Sequence, residues 1–454
     1  MDRTTERLCG YTCALTFDTL PTEVVHHAKR TLIDTVGCAL GGFHAQPANM
    51  ARELAQRIEC TRPSRILGTH CKSSPDMTSF ANGCMIRYLD YNDAYASPSG
   101  GHPSDMLAAI LAISEATQCD GRTTIAAMVA AYEVFCRLSD SIPVGELGWD
   151  HGTLSVIGAV CGVGKILGLD HQDLGQAISL AVVTNMPLGV TRVGELSIWK
   201  GCAAANASRA ALFAAQLAEL GMTGPVSPFE GRNGLMEKTL GRSIDIPPID
   251  HEREGFRIMS NILKFFPCQT HTQGPISLAL ELRLQMTVQD ITSIRIRTYG
   301  KAVSTAATEA EKWAPNSRET ADHSIPYLVA HAFQHGAVTP SSFTDDHLKD
   351  PHVLELIKRI RVEEEADFSK RFSKEYNCHM EVTTKFGEKF TAAIVHPKGF
   401  PGNSLSDTAV EEKFRSLAYD LLSVEQATRA LEILWSFENA PNVNPLFESL
   451  VVAT

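Results

Sequence analysis

The sequence predicts a mainly α-helical protein that carries a smaller α+β unit. Three observations lead there. Helical spacing of apolar residues dominates the first 260 positions, strand-like alternation begins near residue 290, and the helical pattern returns near 424–437. A helix repeats its buried face about every 3.6 residues and a strand about every two, so the change of period marks a change of structure.

The elements follow in order. Pro21-Thr22 opens a run in which Val24, Val25, Ala28, Leu32, Ile33, Val36 and Leu40 fall at helical spacing behind a start signal. Further helices are expected around 105–117, 123–139, 153–167, 172–185 and 201–220. Several are alanine-rich and apolar nearly all round, which suits a large helical interior or a subunit interface. Ser293–Tyr299 alternates as a strand does, and Met380–Phe386 and Lys389–Val395 flank Gly387-Glu388 as a β-hairpin. Helices are expected between them at 321–334 and 349–360. The expected organisation is therefore a discontinuous all-helical domain, 1–263 and 396–454, interrupted by an α+β domain at 264–395.

Composition limits the function. A chain of 454 residues suggests two or three folding units at roughly 150 residues each. Hydrophobic residues at 44% and charged residues at 20% are those of an ordinary soluble enzyme. A net charge of -11 argues against nucleic acid, which needs a basic footprint, but leaves room for a small anion held by a few cations in a cleft. Twelve cysteines include no CxxC pair, so neither a zinc nor an iron–sulfur centre is expected from them, and reduced thiols are. The start MDRTTERLCGY lacks a basic segment ahead of an apolar run, and no apolar stretch reaches the roughly 18 residues of a membrane span. A cytoplasmic protein is expected.

Five segments hold residues that could do chemistry. Arg87–Tyr95 followed by Gly100–Asp105 gathers aspartates and a histidine in a loop punctuated by Pro98, Gly100, Gly101 and Pro103. Paired acidic and basic groups are what proton transfer requires. The alternative is a polar loop in which Asp105 caps the next helix. Trp149–Thr153 puts His151 at a helix start, where the dipole favours a neutral ring. Arg192 precedes Trp199-Lys200-Gly201, where small and apolar neighbours can desolvate the lysine and lower its pKa, unless its head reaches water. Lys264–His271 lies at the expected domain boundary, where pockets are common. Asp322–Tyr327 offers Tyr327 as a proton donor or as an ordinary packed tyrosine. A Gly-rich nucleotide fingerprint, a P-loop and a GxSxG elbow are absent from the sequence. His102 and Asp93 have no third ligand at suitable spacing, so no metal is expected.

In order and separation, Asn82–Asp105, Trp149–Leu169, Lys200–Ala214, Lys264–Gln273 and Asp322–Ala330 resemble the MmgE/PrpD family, and Pro441-Asn442-Val443 resembles its end. The resemblance spans essentially the whole chain. It implies a homodimer, a large helical domain with a smaller lid, an active site between them, and small polycarboxylate substrates without metal, flavin or nucleotide. It carries Asp93, His102, His151, Lys200, Lys264 and Tyr327 over as catalytic residues. Ser97, Arg192, His271 and Asp90 become substrate contacts. Related decarboxylases use a threonine at the Ser97 position. Animal cis-aconitate decarboxylases carry a histidine two residues after the proline matching Pro267. Here Gln269 stands there and the histidine is His271, as in the dehydratase branch, while the Lys264 spacing is nearer the decarboxylases.

The reading that follows is dehydration of 2-methylcitrate or citrate to an aconitate-type alkene. His102 or His151 would serve as base or acid, Asp93 would orient one of them, and Lys200, Lys264 and Arg192 would stabilise charge. cis-Aconitate decarboxylation and iminodisuccinate epimerisation start from the same carbanion chemistry. A non-catalytic helical interaction protein would instead leave these residues scattered in space.

Overall fold

The computed structural model describes residues 1–453. The helical part contains α1 (Arg3–Ala14), α2 (Thr22–Gly41), α3 (Gln46–Ala55), α4 (Pro75–Tyr88), α5 (Leu107–Ala116), α6 (Gly121–Ser141), α7 (Gly152–Leu167), α8 (His171–Thr184) and α9 (Ala203–Glu219). An α+β part follows with α10 (Gln273–Leu282), β1 (Ile291–Thr298), α11 (Gly300–Ala306), α12 (Ile325–His335), α13 (Asp345–Leu348), α14 (Pro351–Ile357), β2 (Ile360–Glu364), β3 (Cys378–Thr384) and β4 (Lys389–Ile394). The chain returns to helix with α15 (Asp407–Ala418) and α16 (Val424–Trp435).

Local chemistry sets the helix starts. Asp120 caps α6 by accepting from the Thr123 amide, Asp170 caps α8, and Ser324 caps α12 by accepting from the Tyr327 amide. Helices α5 and α7 are apolar on every side, and every residue of Leu107–Glu115 and Gly152–Gly164 is buried. They pack among α4, α6, α8 and α9 of the same chain, so their all-round apolarity is consumed internally rather than at a subunit interface. Glycine allows this closeness: a Cβ on Gly158 of α7 would lie 2.7 Å from the Ala131 carbonyl oxygen on α6.

Two hydrophobic cores divide the chain. One draws on Leu8–Leu263 and again on Leu405–Leu450. The other runs from Phe266 to Phe400 and takes in Ala94 and Ile262. The second core lies against a sheet of order β2-β1-β3-β4. Strands β1 and β2 are parallel, with Ile294 opposite Ile360, whereas β3 pairs antiparallel with β1 and β4. The hairpin turns through Gly387, whose φ of +80° is the left-handed conformation glycine adopts without strain.

One expected helix is present but shorter, and an unexpected strand follows it. The stretch 349–360 reads as helix in sequence, but α14 stops at Ile357 and the chain becomes strand β2 from Ile360. The strand Ile-Arg-Val-Glu-Glu is short and charged, and its pairing with β1 is set by partners more than sixty residues away.

The two crossings between the parts run side by side. Ala94 and Ile262 exchange backbone hydrogen bonds of 2.9 and 2.7 Å, and the Leu263 amide donates to the Gly399 carbonyl at 3.1 Å. The loop after α4 is thereby tied to the chain entering the α+β part. Among the described residues, no helix is long and apolar enough to cross a membrane, and all twelve cysteines are free.

Candidate active site

Helix α4 ends at Tyr88 and delivers the polar loop 89–103 to the junction of the two cores. Asp90 takes a left-handed φ of +49°, which aspartate tolerates better than most side chains. Its carboxylate becomes the centre of a buried ionic layer. Arg87 Nη1 donates to Asp90 Oδ1 at 2.7 Å and Lys264 Nζ at 2.5 Å, while Lys200 Nζ lies 3.1 Å from Oδ2. Lys200 also donates to both oxygens of Asp322, at 3.0 and 3.1 Å. Burial opposes the charge on Asp90, but Arg87, Lys200 and Lys264 outweigh it and hold its carboxyl well below the usual range. Asp322 is likewise pulled down against burial by Lys200 and His323. Lys264 moves the other way: burial lowers its pKa more than Asp90 restores it.

Three imidazoles stand at the edge of this layer. His102 Nδ1 is 2.6 Å from the Asp93 carbonyl oxygen, and its Nε2 is 2.9 Å from Arg87 Nη2. A carbonyl can only accept and a guanidinium can only donate, so both contacts specify a neutral ring with the proton on Nδ1. Burial and then Arg87 push this ring well below the usual histidine pKa. His323 Nδ1 is 2.5 Å from Asp322 Oδ1, and its Nε2 is 3.3 Å from Asp90 Oδ2. Burial, followed by Lys200, lowers His323 to about 4 despite those two carboxylates. His151 meets His102 edge-on, with ring centroids 5.6 Å apart, and its Nε2 lies 3.5 Å from Asp105 Oδ2. The loop reaches His151 because Gly101 has no side chain. A Cβ there would sit 2.7 Å from Phe135 Cζ and 3.2 Å from His151 Cβ, at a φ of +138°.

These rings open onto a cavity of about 200 Å³ between the two cores. Its wall also includes Arg87, Ser97, Arg192, His271, Lys301, Thr305 and Phe372. Arg192 is held by Asp150 Oδ2 at 2.7 Å and by the Lys200 carbonyl at 2.8 Å, leaving its buried Nη2 without a partner. His271 Nδ1 contacts the Tyr299 hydroxyl at 2.8 Å, and burial, then Lys301, lowers its ring to about 3. The wall thus presents guanidinium and ammonium groups beside neutral imidazoles, while the carboxylates lie behind them. Such a surface binds a polyanion and can accept or return a proton.

The expected residues separate into three groups. His102, His151, Ser97, Arg192 and His271 line the cavity. Lys200, Lys264 and Asp90 lie beneath it, paired with one another and with Asp322, and are at most 2% exposed. The two lysines are not free cations waiting for substrate, because Asp90 and Asp322 already match their charges inside the layer. Asp93 and Tyr327 lie elsewhere. The Asp93 carboxylate turns from the cavity to accept from the Ser104 amide, Tyr132 Oη and Asn261 Nδ2, and only its carbonyl reaches His102. Burial raises it to about 6 against those hydrogen bonds. Tyr327 is fully buried in the second core and donates to the Ser342 carbonyl at 2.5 Å.

Arg87, Asp322, His323 and Lys301 are not among the residues expected from the sequence. The first three lie inside its polar stretches, where an Asp-His pair ahead of a helix cap is the available signal. Lys301 has none, since it arrives from α11 only when the two parts meet. Asp90, Asp322 and His323 also place three possible metal-ligand atoms within 4.8 Å of one another. Lys200 already occupies that charge, 3.1 Å or less from both carboxylates, so a divalent ion does not fit beside it.

Comparison with known proteins agrees with this organisation. The family model for the MmgE/PrpD N-terminal domain matches residues 6–245, and that for the MmgE/PrpD C-terminal domain matches 266–439. The mitochondrial 2-methylcitrate dehydratase of Yarrowia lipolytica is 29% identical, over 77% of this chain and 70% of its own length. The 2-methylcitrate dehydratase of Escherichia coli K12 is 27% identical, over 75% of this chain and 74% of its own. The cis-aconitate decarboxylase of Aspergillus terreus is 22% identical, over 98% of this chain and 95% of its own. With two family domains matched in succession across most of its length, and with the junction between them falling where the cavity lies, this chain belongs to the MmgE/PrpD family.

Proposed function

We propose that this protein is a hydro-lyase that removes water from 2-methylcitrate, acting without a metal or organic cofactor. The observation that carries the reading is one cavity lined by Arg87, Arg192 and Lys301 together with His102 and His323. Arg192, whose Nη2 has no protein partner, and Lys301 offer positive charge to the carboxylates of a tricarboxylate, while Arg87 Nη1 stays paired with Asp90. The relatives named 2-methylcitrate dehydratase supply the substrate class.

The two imidazoles divide the proton work because their surroundings differ. His102 stands beside the Arg87 guanidinium, which disfavours a second proton on the ring. His323 stands between Asp322 and Asp90. A bound trianion raises both pKa values, and His323, with carboxylates on two sides, protonates first. Once Arg87 Nη2 turns from His102 Nε2 to the substrate, that freed nitrogen removes the proton from the carbon bearing a carboxylate. The electron pair of the broken C–H bond forms the double bond, the neighbouring C–O bond breaks, and His323 delivers its proton to the departing hydroxyl, giving water. Lys301 holds the carboxylate on which negative charge develops, and Arg192 binds a carboxylate whose charge does not change. Residues 264–395 act as the lid that carries His323, His271 and Lys301 to the cavity.

Decarboxylation of cis-aconitate is the second reading, favoured by the near end-to-end match to the Aspergillus terreus enzyme. Incubation with 2-methylcitrate, citrate, cis-aconitate and iminodisuccinate, followed by NMR, separates the readings. An alkene from 2-methylcitrate supports the proposal. Release of carbon dioxide from cis-aconitate alone supports the second reading, and racemised iminodisuccinate alone would indicate epimerisation.

We also propose a homodimer. Val183, Leu188, Val190, Val193 and Trp199 are exposed near the end of α8, and Phe213, Leu220 and Val226 on and after α9. An apolar surface of this extent on consecutive segments favours a partner copy. Light scattering that reports a monomer at micromolar concentration counts against it.

A further inference from the structure

We propose that His331, His335 and His347 form a binding site for one divalent transition-metal ion of the zinc class, in the α+β part and apart from the cavity. Each histidine offers one ligand nitrogen, and these three atoms lie within 4.8 Å of one another. His331 and His335 are four residues apart on α12, which places both rings on one helix face. His347 comes from α13, and its ring meets both others edge-on. The ring centroids are 4.4, 5.0 and 4.7 Å apart, so the rings form a nearly even triangle.

Two further features point to a ligand. His331 is 2% exposed, and its buried Nδ1 has no hydrogen-bond partner. An unsatisfied buried nitrogen is uncommon, and a metal bond would satisfy it. His335 Nε2 is 2.9 Å from Asp350 Oδ2, and the other Asp350 oxygen is fixed by the His352 amide at 2.8 Å. A carboxylate bound to one ring nitrogen sets the tautomer and leaves the other as the metal donor. Imidazole nitrogens with this backing suit zinc, copper or nickel better than magnesium or calcium, which prefer oxygen.

Ligands of a tetrahedral ion with bonds of about 2.0 Å stand roughly 3.3 Å apart. Closing the triangle therefore asks for shifts of about an ångström. His335, whose side chain is 30% exposed, and the half-buried His347 have the freedom to make them. Water would take the fourth position. The cavity residue His323 precedes α12, and His331 lies eight residues further on, roughly 12 Å along a helix. The ion would pin α13 to the far end of α12 and would not meet the substrate.

The test uses the full-length, untagged protein, stripped with a chelator and desalted. Zinc titration by calorimetry, and cobalt titration followed by visible absorption, should each saturate at one equivalent with micromolar or tighter affinity. His335→Ala and His347→Ala should each weaken binding by about 10- to 100-fold. Zinc should raise the melting temperature of the parent but not of these variants. His335→Gln, which keeps a polar head at the surface, gives the same comparison if an alanine variant folds poorly. Absence of saturable binding would overturn the proposal and leave the triangle as ring packing. Binding unchanged in all variants would overturn it equally, by placing the ion elsewhere.

Discussion

Replacing Lys200 by alanine tests the buried ionic layer most directly. The lysine is 2% exposed and its Nζ serves two carboxylates, Asp90 at 3.1 Å and Asp322 at 3.0 Å. Asp90 keeps Arg87 and Lys264 after the change, but Asp322 is left with His323 alone. Breaking a buried pair by removing one partner costs about 3–5 kcal/mol, because a charge stays in the interior without compensation. The loss should depend on pH. In the parent, burial and Lys200 lower His323 from 6.5 to about 4. A base whose folded pKa is depressed destabilises the fold as pH falls below the unfolded value, here by about 3 kcal/mol between pH 6.5 and 4. Without Lys200, His323 gains its proton more easily and restores the missing charge beside Asp322. The variant should therefore lose its full 3–5 kcal/mol near pH 8, and the gap to the parent should narrow near pH 5.5. Urea unfolding followed by tryptophan fluorescence at the two pH values measures both numbers. An unchanged midpoint at pH 8, or a gap as wide at pH 5.5, would refute the argument. Turnover should also fall, since Asp322 and His323 would no longer be held as they are.

Other substitutions separate chemistry from packing. His102→Asn should reduce turnover of 2-methylcitrate about 100-fold or more while leaving the melting temperature close to the parent, because the ring lies at the cavity wall. A variant with normal turnover would remove His102 from the proton path. Arg192→Gln should raise KM more than it lowers kcat, since the free Nη2 faces no protein partner. Steady-state kinetics in which kcat alone falls would contradict a binding role. Gly101→Ala should destabilise the fold by about 1–3 kcal/mol, given its left-handed φ and the 2.7 Å approach to Phe135. It should also impair turnover through the displaced His102 and His151. Equal melting temperatures for variant and parent would show that the loop relaxes freely.

Much of the architecture follows from periodicity that operates within a few residues. Helices α6 and α8 reveal themselves because an aspartate cap is a local feature, α5, α7 and α9 because a long run of small and apolar residues is, and β3–β4 because its turn contains Gly387. The polar loop 89–103 is conspicuous for the same reason: proline, glycine and aspartate cluster there. Tertiary structure decided what local pattern cannot encode. Strand β2 exists because β1 offers it a parallel edge from more than sixty residues away. Whether α5 and α7 face a partner subunit or their own neighbours depended on how many helices surround them, not on their composition.

The site divides in the same way. His102, His151, Arg192, Ser97 and His271 could be named from the sequence as residues of suitable chemistry, and they line the cavity. Their division of labour was not readable there. Lys200 and Lys264 look like free cations in sequence, yet Asp90 and Asp322 neutralise them. Asp93 and Tyr327 look like acids for catalysis, yet Tyr132, Asn261 and the Ser342 carbonyl engage their polar atoms. His323 and Lys301 enter only when the α+β part closes over the helical one. A residue's type is written in the chain, but its charge state depends on burial and on neighbours within a few ångströms, and those neighbours come from distant segments only after the chain has packed.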